Sequence, residues 1–263
     1  MHLSLPEDAD LWFAFPSEIR EPNLPERYRK LLSPDECARE SQFRFEEDAH
    51  NFLVAHALVR TVLSRYAPVE PGDWVFATNA QGRPAIGNSL PADMRLDFNL
   101  SRTQGLVLCT VTQDAAVGAD VENFRGARLD AGELAGDFYS QGEAADLSAL
   151  PPQERPERFF HYWTLKEAYL KARGVGMAIP LDRTSFSLPR AGGIAFACDL
   201  AFQDGAPGWQ FSLLRPTPDH IAAVCIGRAV AANGGSRVMK AVPLVSEAPF
   251  DCPVLARSAP AVS

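Results

Sequence analysis

Two acids separated by one residue on an extended segment, and a third on the inward stripe of a helix, constrain this chain more than any other pattern in it. Along Val117-Gly118-Ala119-Asp120-Val121-Glu122, alternation sends Ala119 and Val121 to one face of a strand and Asp120 and Glu122 to the other. Over 160–171, helical spacing sets Phe160, Trp163, Glu167, Leu170 and Lys171 on one stripe, so Glu167 rides with the apolar side chains. Together the two motifs supply three carboxylates that can converge on one metal ion. Inward carboxylates without partners are too costly to keep, so the pattern implies a bound cation. The all-oxygen donor set of Asp120, Glu122 and Glu167 suits Mg²⁺ better than zinc, with Mn²⁺ as a substitute. Taken separately the two motifs are weaker: Asp-x-Glu also reads as a solvated strand end, and Glu167 with Lys171 as an exposed i,i+4 ion pair.

Around this core the periodicities predict a strand near Leu11–Phe15, a helix over Leu24–Leu31 and a short helix capped by Ser33 with Glu36 completing a capping box. A longer helix over Glu46–Tyr66 carries Phe52, Leu53, His56, Val59 and Leu63 on its packed stripe, with His56 as a core histidine. Strands are predicted near Trp74–Ala77, Phe98–Ser101 and Gly105–Thr112. A turn at Gln113-Asp114-Ala115 would join the last of these to the Asp-x-Glu strand as an antiparallel hairpin. A helix-rich stretch over Gly132–Arg173 precedes strands near Thr184–Leu188, Ile194–Leu200, Trp209–Leu214 and Ile221–Ile226. The Ala, Gly, Pro and Ser composition from Asn233 predicts a flexible tail over 233–263.

Several further motifs stand in one fixed order. Gly118-x-Asp120-x-Glu122 is followed by Phe138-Tyr139-Ser140-x-x-Glu143 and by Trp163-x-x-Lys166-Glu167-Ala168-x-x-Lys171-x-x-Gly174. Upstream lie Leu32-Ser33-Pro34, Glu47-Asp48-Ala49-His50, Gly82-Arg83-Pro84 and Phe98-Asn99-Leu100-Ser101. In order and spacing this set resembles the 4′-phosphopantetheinyl transferases of the surfactin-synthetase-activating type, over roughly residues 25–228. The resemblance implies an α+β pseudo-dimer of two similar halves, 1–115 and 116–232. Each half would be a helix-covered antiparallel sheet, with the active site in the cleft between them. It also implies transfer of 4′-phosphopantetheine from CoA to a serine of an apo acyl or peptidyl carrier protein. In that scheme Asp120, Glu122 and Glu167 hold Mg²⁺, Glu143 is the general base and Lys171 or Lys166 offsets phosphate charge. Gly82-Arg83-Pro84 forms the adenine-side loop, with Arg83 and Arg39 meeting the 3′-phosphate and Ser101 lying near the pyrophosphate. The family's histidine after that serine is replaced by Arg102, which keeps a cationic donor but excludes proton transfer. Glu36 stands where some members carry lysine.

Charge and composition set the remaining limits. A net charge of −8 argues against a nucleic-acid partner, whereas a compact anion such as CoA needs only a local cluster, for which Arg39, Arg44, Arg60, Arg83 and Arg102 are available. Five scattered cysteines with no Cys-x-x-Cys pair speak against a disulfide framework or zinc site. Neither a basic leader nor a membrane-length apolar run is evident, so a cytoplasmic protein is expected, and the resemblance implies a monomeric pseudo-dimer. Two other classes remain: a Mg²⁺-dependent phosphohydrolase would use the same three acids with water as nucleophile, and a non-catalytic carrier-binding module would keep the fold but lose the metal.

Overall fold

The computed structural model of the chain describes residues 3–125, 138–189, 192–202, 208–227 and 236–259. In chain order the strands are β1 (Asp10–Ala14), β2 (Phe76–Thr78), β3 (Pro84–Ile86), β4 (Leu96–Thr103), β5 (Leu106–Gln113), β6 (Ala116–Asn123), β7 (Thr184–Ser187), β8 (Gly193–Cys198), β9 (Trp209–Thr217), β10 (His220–Gly227), β11 (Val238–Val242), β12 (Ser246–Pro249) and β13 (Val254–Ser258). The helices are α1 (Leu24–Arg29), α2 (Pro34–Glu40), α3 (Glu46–Leu63), α4 (Gln141–Ala149) and α5 (Arg155–Arg173). The first residues of the expected Gly132–Arg173 stretch, 132–137, lie outside the described residues.

The strands form two main sheets, ordered β12-β11-β1-β5-β4 and β6-β10-β9-β13-β8-β7, and a small β2–β3 hairpin. Alternation along the strands explains how these sheets stack. In β1, Trp12 and Ala14 belong to the cluster that α3 covers with Leu53, Val54, Ala57, Leu58 and Val62. Leu11 and Phe13 point the other way, into a cluster shared with Val117, Ala119 and Val121 of β6 and Ala222, Val224 and Ile226 of β10. The alternate residues of β10, Ile221, Ala223 and Cys225, meet α5 through Leu165, Ala168, Tyr169 and Ala172. The layers therefore run α3, sheet, sheet, α5. The central strands β5 and β10 are buried on both faces, which is why they read as near-continuous hydrophobic runs.

Helix starts follow local chemistry. Ser33 accepts from the Glu36 amide and Glu36 from the Ser33 amide, the capping box expected from the sequence. Glu46, Glu47 and Asp48 sit in the first turn of α3, where carboxylates complement the helix dipole. Gly174 ends α5 at φ 64°, a left-handed C-cap that glycine adopts without a Cβ penalty.

Two expectations are corrected. β5 and β6 are not a hairpin: both edges of β5 are taken by β1 and β4, and β6 pairs with β10. The turn at 113–115, with Asp114 at φ 56°, instead carries the chain from one sheet into the other. The expected tail is also largely structured, since residues 236–259 contribute a strand pair to the N-terminal sheet and insert β13 between β9 and β8 of the other. Its few apolar residues are enough for this because they reach interlayer space: Ala241 and Ala256 are buried, and Phe250 packs its ring 5.3 Å from Phe13 and 5.5 Å from Phe15. Arg237 anchors the start by pairing with the buried Asp10. Residues 233–235 and 260–263 of that expectation lie outside the described residues.

Candidate functional site

β6 and α5 touch more closely than side chains permit, and Gly118 is the reason. A Cβ on Gly118 would stand 2.1 Å from the Ala168 carbonyl oxygen and 2.3 Å from the Ala172 nitrogen. Only glycine lets the strand lie directly on the helix backbone. Because the side-chain period of a strand is two, the residues that continue this face are Asp120 and Glu122, and they meet the flank of α5 that carries Trp163, Glu167 and Lys171.

Asp120 is 5% exposed. Its Oδ1 accepts from Lys171 Nζ at 2.6 Å and from Ser101 Oγ at 3.0 Å, while its Oδ2 is buried with no hydrogen-bond partner. Lys171 also donates to Ser101 Oγ at 3.1 Å, so helix, β6 and β4 meet at one point. Burial, with Asp120 next, pushes the Glu122 carboxyl up to about 7, against the opposing pull of Lys171 and of a hydrogen bond from Trp163. Burial and Asp120 also raise Glu167. Three carboxylates thus share a partly desolvated space with one ammonium, and burial together with the Asp120 charge makes Glu122 and Glu167 resist ionising. Among the described residues no group of three His, Cys, Asp or Glu side chains is placed, as it stands, to hold a metal ion. The donor chemistry nevertheless fits a hard divalent cation: oxygen ligands only, an orphaned buried oxygen on Asp120, and an excess of negative charge. Glu167 is half-buried and lines a cavity, rather than lying on the buried face of α5.

The fully buried charge of α5 is Lys166, and it points away from those carboxylates. Its Nζ donates to the carbonyls of Leu181 and Thr184 and pairs with Glu143 Oε2 at 2.8 Å, both side chains being 0% exposed. Glu143 is filled in turn. Its Oε2 accepts from the Ser140 amide and hydroxyl, and its Oε1 from the Phe186 amide at 2.8 Å. The assignments of Glu143 as general base and Lys166 as a phosphate contact are therefore corrected: every donor of Lys166 and both oxygens of Glu143 are used inside the protein. Ser140-x-x-Glu143 is a capping box at the start of α4, a signal present in the sequence that would have placed Glu143.

A cavity of about 280 Å³ opens beside Glu167 and is lined by Arg83, Pro84 and Asn99 on one side and Glu167, Lys171 and Gly174 on the other. A hollow of about 970 Å³ opens against α4 and β7, but none of the three cleft carboxylates reaches it. Arg83 lines the smaller cavity with its Nη2 committed to Asp97 at 2.7 Å and the Val117 carbonyl at 2.9 Å. The tip of the β2–β3 hairpin is further latched by Asn79, which donates to the Gly174 carbonyl at 2.8 Å. Arg102 lies on the other face of β4 from Ser101, its guanidinium 5.7 Å and 5.8 Å from the Phe43 and Phe52 ring centres. Partial burial and then the like charge of Arg39 lower its pKa, against Asp48. Two arginines kept this close make a local attraction for an anion. Arg60 belongs elsewhere, buried between the Trp74 carbonyl and Glu36, which also holds His56.

Residues 116–225 match the 4′-phosphopantetheinyl transferase superfamily and residues 25–113 match the 4′-phosphopantetheinyl transferase, N-terminal family. The chain is 34% identical over 222 residues to 4′-phosphopantetheinyl transferase HetI of Nostoc sp., covering 84% of this chain and 89% of that protein. It is 30% identical over 201 residues to 4′-phosphopantetheinyl transferase Sfp of Bacillus subtilis, covering 74% and 86%. No helix among the described residues is long and apolar enough to cross a membrane.

Proposed function

The chain belongs to the 4′-phosphopantetheinyl transferase superfamily and is an enzyme that moves phosphopantetheine to carrier proteins, and from that premise we propose how its site does so. CoA lies across the cleft between the two sheets, and a serine of an apo acyl or peptidyl carrier protein takes its phosphopantetheine, leaving 3′,5′-ADP. Asp120, Glu122 and Glu167 hold Mg²⁺. That cation supplies charge neutralisation for the pyrophosphate as negative charge builds in phosphoryl transfer.

The remaining roles fall to the chain's own groups. Lys171, 30% exposed beside Asp120, offers an ammonium to the phosphates without leaving the cluster. Ser101 fixes both Lys171 and Asp120 through one hydroxyl. Arg39 and Arg102 form the cationic end for the nucleotide phosphate, with Arg102 resting against Phe43 and Phe52. With Glu143 filled by its cap, removal of the serine proton falls to the carboxylates of the cleft.

The observation that carries this reading is Asp120, buried with one oxygen shared by Lys171 and Ser101 and the other without a partner, in the company of Glu122 and Glu167. The test is intact-mass spectrometry of an apo carrier incubated with the protein, CoA and Mg²⁺. A gain of one phosphopantetheine, lost on chelation and restored by Mg²⁺, is expected. CoA breakdown without any gain on the carrier would make the protein a phosphohydrolase instead.

A further inference from the structure

β4 and β6 are terminal strands of different sheets, and each would leave a row of backbone groups open at its edge. Between them runs a ladder made of side chains. Asp97 Oδ2 accepts from the Val117 amide at 3.1 Å, Asn99 Oδ1 from Ala119 at 2.9 Å, Ser101 Oγ from Val121 at 3.3 Å and Thr103 Oγ1 from Asn123 at 3.3 Å. Every second residue of β4 is a short polar one, and every second amide of β6, the set that does not face β10, is its partner. The offset of twenty residues is the same at all four rungs. Short acceptors can span a gap that two backbones leave open, and they fix the register as a backbone ladder would.

The rungs bracket the carboxylates. Asp120 lies between the amides held by Asn99 and Ser101, and Glu122 between those held by Ser101 and Thr103. Asp97 and Ser101 have second duties, toward Arg83 and toward Asp120 with Lys171. Asn99 and Thr103 are the rungs whose side-chain oxygens accept only from β6 and hydrogen-bond none of the three carboxylates, although Asn99 also lines the cavity beside Glu167. We propose that Asn99 and Thr103 are positioning residues for the transfer, holding β6 against the N-terminal sheet so that Asp120 and Glu122 keep the orientation that a divalent cation requires. The inference rests on the reading of those acids as cation ligands. Groups that orient ligands in this way commonly govern affinity nearly as much as the ligands themselves.

The test uses the full chain, CoA and Mn²⁺ as the probe, with free Mn²⁺ followed by electron paramagnetic resonance. Thr103→Val removes the acceptor at nearly constant shape, Asn99→Leu does the same at the second rung, and Thr103→Ser restores a hydroxyl. Each of the first two variants is expected to weaken Mn²⁺ binding about tenfold, with Thr103→Ser close to wild type. Amide hydrogen exchange should quicken at Asn123 in Thr103→Val and at Ala119 in Asn99→Leu. A purely structural rung would lower the urea midpoint and leave the Mn²⁺ affinity of the folded protein unchanged, and that result overturns the proposal. Should Asn99→Leu fail to fold, Thr103→Val decides alone, since Thr103 sits at the half-buried end of the ladder. Absence of Mn²⁺ binding by the wild-type protein would instead count against the proposed function.

Discussion

Gly118→Ala should separate β6 from α5 and so disable the site without touching a single polar group in it. The added Cβ would begin 2.1 Å from the Ala168 oxygen, where real Cβ atoms stay beyond 3.0 Å, and both obstructing groups are backbone. No rotamer change relieves that, so helix and strand must part by about 0.9 Å (3.0 − 2.1). Overpacking of this kind costs about 1–3 kcal/mol, and the rigid obstruction puts Gly118→Ala at the upper end. The Lys171–Asp120 contact of 2.6 Å would open past hydrogen-bond range. A displacement of roughly 1 Å at a reacting centre can lower the rate about a hundredfold. Urea denaturation and carrier modification should be measured together, with Gly142→Ala as the control, because a Cβ there meets nothing within 4 Å. Normal midpoint and normal transfer in Gly118→Ala would refute the close contact and the reasoning built on it.

Four residue sets give further expectations. Lys166→Met or Glu143→Leu alone should destabilise by about 3–5 kcal/mol by stranding a buried charge, and the double variant by less, which a double-mutant cycle in urea will show. Arg102→Ala should weaken CoA by about 1.5–3 kcal/mol in calorimetry, with Arg102→His recovering binding better at acidic pH, where imidazole is charged. Arg83→Ala should weaken CoA and dephospho-CoA equally, because its Nη2 serves Asp97 and Val117; selective loss of CoA would show that it reads the 3′-phosphate. Glu36 is held down at about 2: burial acts to raise it, but hydrogen bonds from His56, the Ser33 amide and Arg60 outweigh that. A lowered carboxylate stabilises the fold above its ordinary pKa and loses that contribution as pH falls from about 4.5 toward 2. Glu36→Gln should therefore cost about 3 kcal/mol at pH 7 and little at pH 2; an equal loss at both would reject the pairing.

Much of the site was legible because its residues obey short periods. The alternation through 117–122 separates Ala119 and Val121 from Asp120 and Glu122 as the two faces of β6 do, and the 163, 167, 171 spacing marks one flank of α5. What periodicity cannot carry is pairing across the chain. Nothing local says that β6 joins β10 rather than β5, that residues 236–259 supply strands to both sheets, or that Lys166 lies opposite Glu143. Lys166 also breaks a composition rule, since a fully buried lysine is intelligible only once its three acceptors are seen. The β4 ladder was half visible, as short polar residues at every second position, but its partner amides lie twenty residues on.

The account's central claim is that Asp120, Glu122 and Glu167 act as one cation-holding unit. Its most direct test is the rate of carrier modification at saturating Mg²⁺ for Asp120→Asn, Glu122→Gln, Glu167→Gln and the triple variant, each first shown to be folded. Each single change should remove most of the transfer, and the triple variant should be little worse than the worst single one, as expected of residues that act together. A folded triple variant that still modifies the carrier at close to the wild-type rate would contradict the claim.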